Sequence, residues 1–575
     1  MSLLDFNFFI EYDSFDKLIE ENCMKNLLKK FITTIIFFLI AYVLIDLTPY
    51  YIENVKYEEN EIRFIIDDSE KTKSLPDPVV IQEENVMLSM DTIKKFFDEY
   101  IYFDEKYEAV IVAYDTYVVK MFLNDKDIII NDEPKHIDVP VVVSGEDIYI
   151  PIQVLEEVYD IDVDVNEKVI VTTSKTEYVE VILEKNAKIK KYKKEFSLTK
   201  GKAKKEESLR IYTEDFGYLA DSEYVWVRNE IGDLGYIRKD KIKFDDTKSF
   251  AVFKEDEPKK EKVNLIWEYA TNYSPDRSSE YKKEGVDVIS PTWIYSKNSE
   301  GEIKHSIDQN YLSWARHVGY KVWPTIKNDD IKIDGTSTLL NDMYYRKTFI
   351  NNIVELCEKY NFDGINLDFE NMYKEDKEEF AELVRELSAT LRLKGVVSTV
   401  DVNVPDGSPT WSLCYDTKAI SDAADYVMLM AYDQYGQSSS TAGPVASLAW
   451  VEANLKKLID REKVDSEKLV LGVPFYSRFW RTKDGVVKST SSLGMSKAKE
   501  YIKNNPNSVE WNEIAGQYIV EYKSGSDVVY IYVEDEKALA EKLKLIDEYN
   551  LAGFAAWRRG YETEEVWDVI AEEIN

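Results

Sequence analysis

A chain of 575 residues is too long for one ordinary hydrophobic core and implies two to four domains. Its 108 acidic against 73 basic residues leave a net charge of −35, which argues against nucleic acid as a partner and fits a soluble, self-repelling surface. Three cysteines (Cys23, Cys357, Cys414) make no disulfide framework, and three scattered histidines (His136, His305, His317) give no zinc or copper centre.

Residues 1–24 are mixed in character and read as a cytoplasmic N-terminus. Lys25, Lys29 and Lys30 then precede an apolar run, 31–45, closed by Asp46, Leu47, Thr48 and Pro49. A positive flank before an apolar run is the pattern of an export signal. No small-x-small cleavage site follows, so the expectation is an uncleaved signal-anchor over 25–48 with the rest of the chain outside. A buried soluble helix is the alternative. Met24 before Lys-Asn-Leu-Leu-Lys-Lys reads as a natural start, which would make the first 23 residues an over-extension. Residues 50–76 are a charged, Tyr-rich spacer with one strand at 61–66. Residues 77–176 alternate strands (109–113, 117–122) with short helices (91–99), an α+β unit. Residues 177–250 read as all-β, and 251–262 is a charged linker.

From 263 to 575 strands alternate with helices, which argues for a parallel α/β fold. Eight strands are predicted: 263–267, 286–291, 322–326, 362–369, 396–402, 426–430, 469–474 and 552–557. This number suits a (β/α)8 TIM barrel. The helix ahead of the fourth strand carries the stripe Tyr345, Phe349, Ile353, Leu356, Tyr360. An extra stretch between strands seven and eight, about 478–535, reads as a small α+β insertion. The chemistry of such a barrel sits at the C-terminal ends of its strands. Those ends carry Glu268, Trp293, Asp368 with Glu370, Asn403, Tyr432 with Asp433, Tyr476 with Arg478, and Trp557. Acids, phenols and indoles in one cleft suit a carbohydrate, with Trp557 and Trp293 as the candidate ring-stacking indoles.

The fourth strand is the most informative stretch. Ile365, Leu367 and Phe369 point one way, and Asn366, Asp368 and Glu370 the other. Two acids two residues apart on one face lie roughly 6.6–7 Å apart at their backbones. A buried pair of carboxylates cannot easily carry two charges, so one is pushed toward the protonated form that a general acid needs. Glu370, nearer the strand end, is the better-exposed acid. By spacing alone the pair could equally be a helix N-cap, and a Mg or Ca site is a third reading. No cofactor is expected.

Asp363-Gly364-Ile365-Asn366-Leu367-Asp368-Phe369-Glu370 resembles the active-site signature of glycoside hydrolase family 18, the chitinase-like hydrolases, usually written DGxDxDxE. Asn366 stands where that pattern has its middle Asp. The resemblance implies a proton donor at Glu370, an acetamide-orienting acid at Asp368, and a phenol on the N-acetyl group at Tyr432 of Met-x-Tyr-Asp. It further implies a cleft-floor indole at Trp557, with Asp363 and Asn366 among the substrate-binding positions. It implies retaining, substrate-assisted cleavage, an exception to the two-carboxylate scheme. Gly472-x-Pro474-Phe475-Tyr476 and the run 553–562 look most like the spore and cell-wall lytic branch. Residues 148–155 with Val163-Asp164-Val165 resemble the copper amine oxidase N-terminal domain, which implies a stalk and, with His136 alone, no copper. Trp226-Val227-Arg228 and Gly235-Tyr236-Ile237 resemble the end of a bacterial SH3-like barrel. The reading is a surface-anchored hydrolase of β-1,4 bonds next to N-acetylglucosamine in peptidoglycan or spore cortex. A chitinase and a non-catalytic sugar-binding protein are the alternatives.

Overall fold

A computed structural model describes residues 22, 24–44, 62–82, 85–165, 168–173, 176, 178–212, 223–243 and 262–574. The expectations for the first 21 residues, for 46–49 and for nearly all of the charged linker lie outside the described residues. Met24–Leu44 is one helix of 21 residues with mean hydropathy 2.1, its apolar window wholly unburied. By length and composition this helix is able to cross a bilayer.

The described residues fall into two compact units, one drawn from 1–97 with 142–256 and the other from 98–141 with 257–575. In the first, Arg63–Ile66 pairs in parallel with Lys168–Thr173. Strands Val79–Gln82, Asn85–Ser89, Asp147–Pro151 and Val142–Ser144 make a second sheet. Residues 178–243 follow as a seven-stranded sheet over a core of Val181, Leu183, Ile189, Leu209, Ile211, Val225 and Val227.

The second unit is built on an eleven-stranded sheet whose pairings close on themselves. Its staves are Val263–Glu268, Val288–Pro291, a split third stave, Gly364–Asp368, Val397–Asn403, Tyr426–Met430, Leu469–Pro474 and Gly553–Trp557, and the last pairs back onto the first. Every pairing around the ring is parallel. The third stave is broken into Lys321–Val322 and Thr325–Lys327 at Pro324, which has no N–H to give a neighbour. Alternation sends Leu265, Trp267, Val288, Trp323, Met428 and Val470 to the inside, and Ile266, Ile365, Leu367 and Val400 outward to the helices. Gly364 is needed here: a Cβ on it would come within 2.8 Å of the Trp323 indole.

Helix Met343–Tyr360 starts where Asp342 accepts from the N–H groups of Tyr344 and Tyr345, and ends at Asn361 in left-handed geometry. Phe349, Ile353 and Leu356 of the predicted stripe are buried, and Tyr345 and Tyr360 pack at its edges. No helix follows the first stave. Residues 269–287 are irregular, pinned by Trp314 Nε1 to the Glu280 carbonyl at 2.8 Å and by Lys283 N to the Tyr320 hydroxyl at 2.7 Å. After the seventh stave, strands Tyr476–Lys483, Val486–Gly494, Val509–Asn512, Gln517–Ser524 and Asp527–Val533 form an antiparallel sheet with helix Met495–Asn504.

Residues 98–141, read from sequence as part of a stalk, lie against this ring. Their five-stranded sheet covers helices Met343–Tyr360 and Lys377–Leu393, and Ala109 and Ile111 pack on Met343. The contact is strongly charged. Lys120 reaches Glu386 at 2.7 Å, Arg346 reaches the same carboxylate at 2.9 Å, and Arg385 bonds Asp98 at 2.9 Å and Glu382 at 3.1 Å. All six groups are buried.

Candidate active site

The fourth stave carries Asn366 and Asp368 into the ring, with Glu370 following two residues on. Asp368 is buried, and its Oδ2 lies 3.4 Å from the Lys327 ammonium. Its other oxygen, Oδ1, is buried and has no hydrogen-bond donor among the described residues. Burial raises the pKa of Asp368, with Lys327 pulling the other way. Glu370 is partly open to the cleft. Burial first, and the charge of Asp368 second, push it up to about 7, against Lys327 and Asn403. Asn403 donates to Glu370 Oε1 at 3.3 Å. Asn328 clamps the Glu370 backbone from both sides, donating to its carbonyl at 2.8 Å and accepting its N–H at 3.0 Å.

Asn366 does not reach Asp368. Its carboxamide donates to Asp401 at 2.7 Å and to Thr399 at 3.1 Å, and accepts the indole N–H of Trp267 at 2.8 Å. Asn366 is thus paired across strands four and five, with Asp401, and not along its own strand with Asp368. Burial, then the neighbouring Asp368, hold Asp401 well above the usual carboxylate range. Asn366→Asp would set two carboxyls against each other at this 2.7 Å contact, which share one proton rather than ionise together. The added charge beside Glu370 is expected to move the alkaline limb of the pH–activity profile upward, and an unmoved limb would show that the 366–401 pair is insulated from Glu370.

The Tyr432 ring stands 6.4 Å from Trp267, edge to face, and its hydroxyl has no hydrogen-bond partner among the described residues. Trp557 leans on the other side of Trp267 at 6.2 Å. Asp433 is held by the Tyr476 hydroxyl at 2.6 Å and by Arg478 at 2.5 Å. Asp368, Glu370, Asn403, Tyr432, Asn366 and Trp557 thus belong to one cleft, with the Asp433, Tyr476 and Arg478 group on its wall.

Three expected substrate contacts lie elsewhere. Trp293 is fully buried in the outer core, its N–H donated to Ser274 and its ring against Tyr311 and Phe362. Glu268 is 1% exposed and neutralised by two bonds from Arg277 at 3.1 Å and one from Tyr311 at 3.0 Å. Asp363 precedes the strand at the opposite end and accepts the Val322 N–H at 3.0 Å. Sequence reading passed over Lys327 and Asn328, at the end of the third stave, and saw Asp401 and Trp267 at their strand ends without choosing them, although they share the inward parity of the chosen residues. Reading the third strand's end, and keeping parity on strands one and five, would have found all four. Burial pulls against the Lys327 ammonium, but Asp368, Asp329 and Glu370 together raise its pKa. Among the described residues no group of three His, Cys, Asp or Glu side chains is placed to hold a metal ion.

Comparison with known proteins bears on the same region. The family model described as Glycosyl hydrolases family 18 matches residues 263–562, just over half of the chain, and a copper amine oxidase N-terminal domain model matches residues 65–173. The "Uncharacterized glycosylase YvbX" of Bacillus subtilis is 28% identical over 295 residues, 49% of this chain and 83% of that protein. The cortical fragment-lytic enzyme of Bacillus subtilis is 24% identical, covering 41% of this chain and 56% of its own length. Among solved structures, the spore cortex-lytic enzyme SleL of Bacillus megaterium is 20% identical with a TM-score of 0.49, over 55% of this chain and 75% of that one. By the match over residues 263–562, the chain belongs to glycosyl hydrolases family 18.

Proposed function

We propose that the parallel ring is a (β/α)8 TIM barrel that cleaves β-1,4 bonds next to N-acetylglucosamine, with retention and assistance from the substrate's own acetamide. The observation that carries this reading is the pair Asp368 and Glu370. One carboxyl has an orphaned buried oxygen, and its neighbour is poised near neutrality at about 7. Glu370 protonates the leaving glycosidic oxygen. The 2-acetamido oxygen attacks the anomeric carbon, and the departing bond's electron pair leaves with the protonated oxygen. Asp368 Oδ1 takes the acetamide N–H as positive charge develops on the oxazolinium. The Tyr432 hydroxyl bonds the reacting acetyl group. Glu370, now a carboxylate, draws a proton from water, which opens the ring intermediate. Lys327, 3.4 Å from Asp368, favours its anionic form against burial, and Trp557 floors the sugar. No metal or cofactor is called for.

Peptidoglycan or spore cortex is the polymer we favour, since relatives include a cortical fragment-lytic enzyme. Chitin is the second reading, favoured by the class V chitinase of Arabidopsis thaliana, 25% identical over 252 residues. Digestion of peptidoglycan, cortex and chitin separately, with mass spectrometry of the new reducing-end sugar, decides between them. N-acetylglucosamine ends from the wall polymers support the first reading. Binding without cleavage of any polymer would leave a sugar-binding protein.

Residues 178–243 we read as an SH3-like module, and the parts of the copper amine oxidase-like match outside 98–141 as a stalk. The Met24–Leu44 helix we read as a single-pass anchor with the hydrolase outside, its Lys25, Lys29 and Lys30 flank holding the N-terminus inside. Protease added to intact cells is then expected to release the hydrolase, and full protection of the chain would overturn the anchor.

A further inference from the structure

Arg558 directly follows Trp557 at the cleft mouth, and it is the cation there that no carboxylate holds. Its guanidinium lies 4.1 Å from the ring centre of Tyr561 and 5.2 Å from that of Tyr269. The guanidinium makes no hydrogen bond or ion pair among the described residues; the Arg558 carbonyl accepts the Tyr561 N–H at 3.2 Å. Neighbouring cations are all engaged: Lys327 with Asp368 and Asp329, Arg478 with Asp433, Arg277 and Arg559 with Glu268 and Glu280. Tyr561 stands 6.2 Å from Tyr476, whose hydroxyl bonds Asp433, so Arg558 continues the wall that the Asp433 group begins.

Contact with phenol rings restrains a guanidinium through its face and leaves its edge donors free. A fork of that kind matches a carboxylate bidentately. The surroundings make such a cation necessary for an acidic ligand. The chain carries a net charge of −35, and the exposed Asp433 and the partly open Glu370 are the acids of this cleft that face solvent. An anionic polymer is repelled by that field unless a local cation meets it. A neutral N-acetylglucosamine polymer offers Arg558 nothing to neutralise.

We propose that Arg558 is a specificity-determining residue that receives the carboxylate of an acidic N-acetylated glycan, carried on a lactyl ether or on a peptide attached to it. This rests on the glycan-cleaving reading of the cleft and names the class of polymer it takes.

The test uses the full chain in detergent, as wild type, Arg558→Gln and Arg558→Lys. Three substrates are compared: peptidoglycan glycan strands with free carboxylates, the same strands amidated with carbodiimide and ammonia, and the N-acetylglucosamine hexamer. Charge-assisted bonds of this kind are worth roughly a tenfold change in affinity or more. Arg558→Gln should therefore raise KM on the acidic strands by about tenfold while leaving amidated strands and hexamer within about twofold. Arg558→Lys should recover part of the loss. An equal loss on all three substrates, or none on any, overturns the proposal. If wild type cleaves none of the three, the hydrolase reading fails. Arg558 is then judged by binding: a preference for acidic over amidated strands that Arg558→Gln abolishes upholds it, and no such preference overturns it.

Discussion

Glu370→Gln is expected to fold normally, bind glycan and lose turnover by at least about 10²–10⁴-fold. Gln keeps the size of Glu370 and can still meet Asn403, but it cannot protonate a leaving oxygen. Asp368→Asn should also be crippled, for two separate reasons. The acetamide loses its orienting charge, and Glu370 loses the neighbour that helps raise its pKa. The two residues act as a unit, so the double variant should be little worse than the poorer single variant. The pH profile gives an independent sign. A general acid works below its pKa, so kcat/KM of the wild type should fall as pH rises through about 7. In Asp368→Asn the residual activity should fall at lower pH, because burial alone then holds Glu370 up. The assay is hydrolysis of a wall fragment across pH by wild type, both single variants and the double. Near-full activity in Glu370→Gln would leave the family assignment standing for the fold and send the chemistry to another group.

The fourth stave was legible because its two faces differ so sharply in chemistry. Asn366 and Asp368 do face inward, and Ile365, Leu367 and Phe369 do pack outward. The same parity separates the residues that belong to the cleft from those that do not. Asp363 shares parity with Ile365, so the strand pattern sets it outside, and only the motif resemblance put it in the site. Glu268 shares parity with Ile266, on the helix side, while Trp267 beside it points inward. Thr399, Asp401 and Asn403 fall on one face because their register follows the Asn366–Thr399 pairing. Trp293 was misjudged because an indole after a strand end looks the same in sequence whether it faces a sugar or a core. What no local pattern could show is the docking of residues 98–141. Its pairs join positions hundreds apart in sequence, such as Asp98 with Arg385. A buried Arg346 or Glu386 interrupts an apolar stripe without announcing its partner.

That docked sheet leads to the second large effect. Arg385→Met is expected to destabilise the unit built on the parallel ring by about 3–5 kcal/mol, because removing one partner of a buried charge cluster strands the others. Asp98 and Glu382 are 6% and 2% exposed and would lose the guanidinium that joins them. The Tyr100 and Ala113 carbonyls, which Arg385 also serves, would lose a donor each. The loss should depend on pH in a definite direction. Burial pushes Glu382 up to about 8, with Arg385 holding it down. Without Arg385 it binds its proton more tightly still in the folded chain than in the unfolded one. The variant should therefore lose stability as pH rises from the ordinary carboxylate range, and its deficit should shrink again as pH falls. A fragment of residues 263–575 should fare worse than Arg385→Met. It bares Met343, strips Lys120 from Glu386 and takes Asp98 from Arg385. Tryptophan fluorescence reads this unit almost alone, since ten of the eleven tryptophans lie at or beyond Trp267. A melting midpoint in the fragment equal to that of the full chain would show that the sheet of 98–141 merely rests on the ring. A midpoint well below it, in the fragment and in Arg385→Met, is expected if the sheet completes the charge balance of that unit.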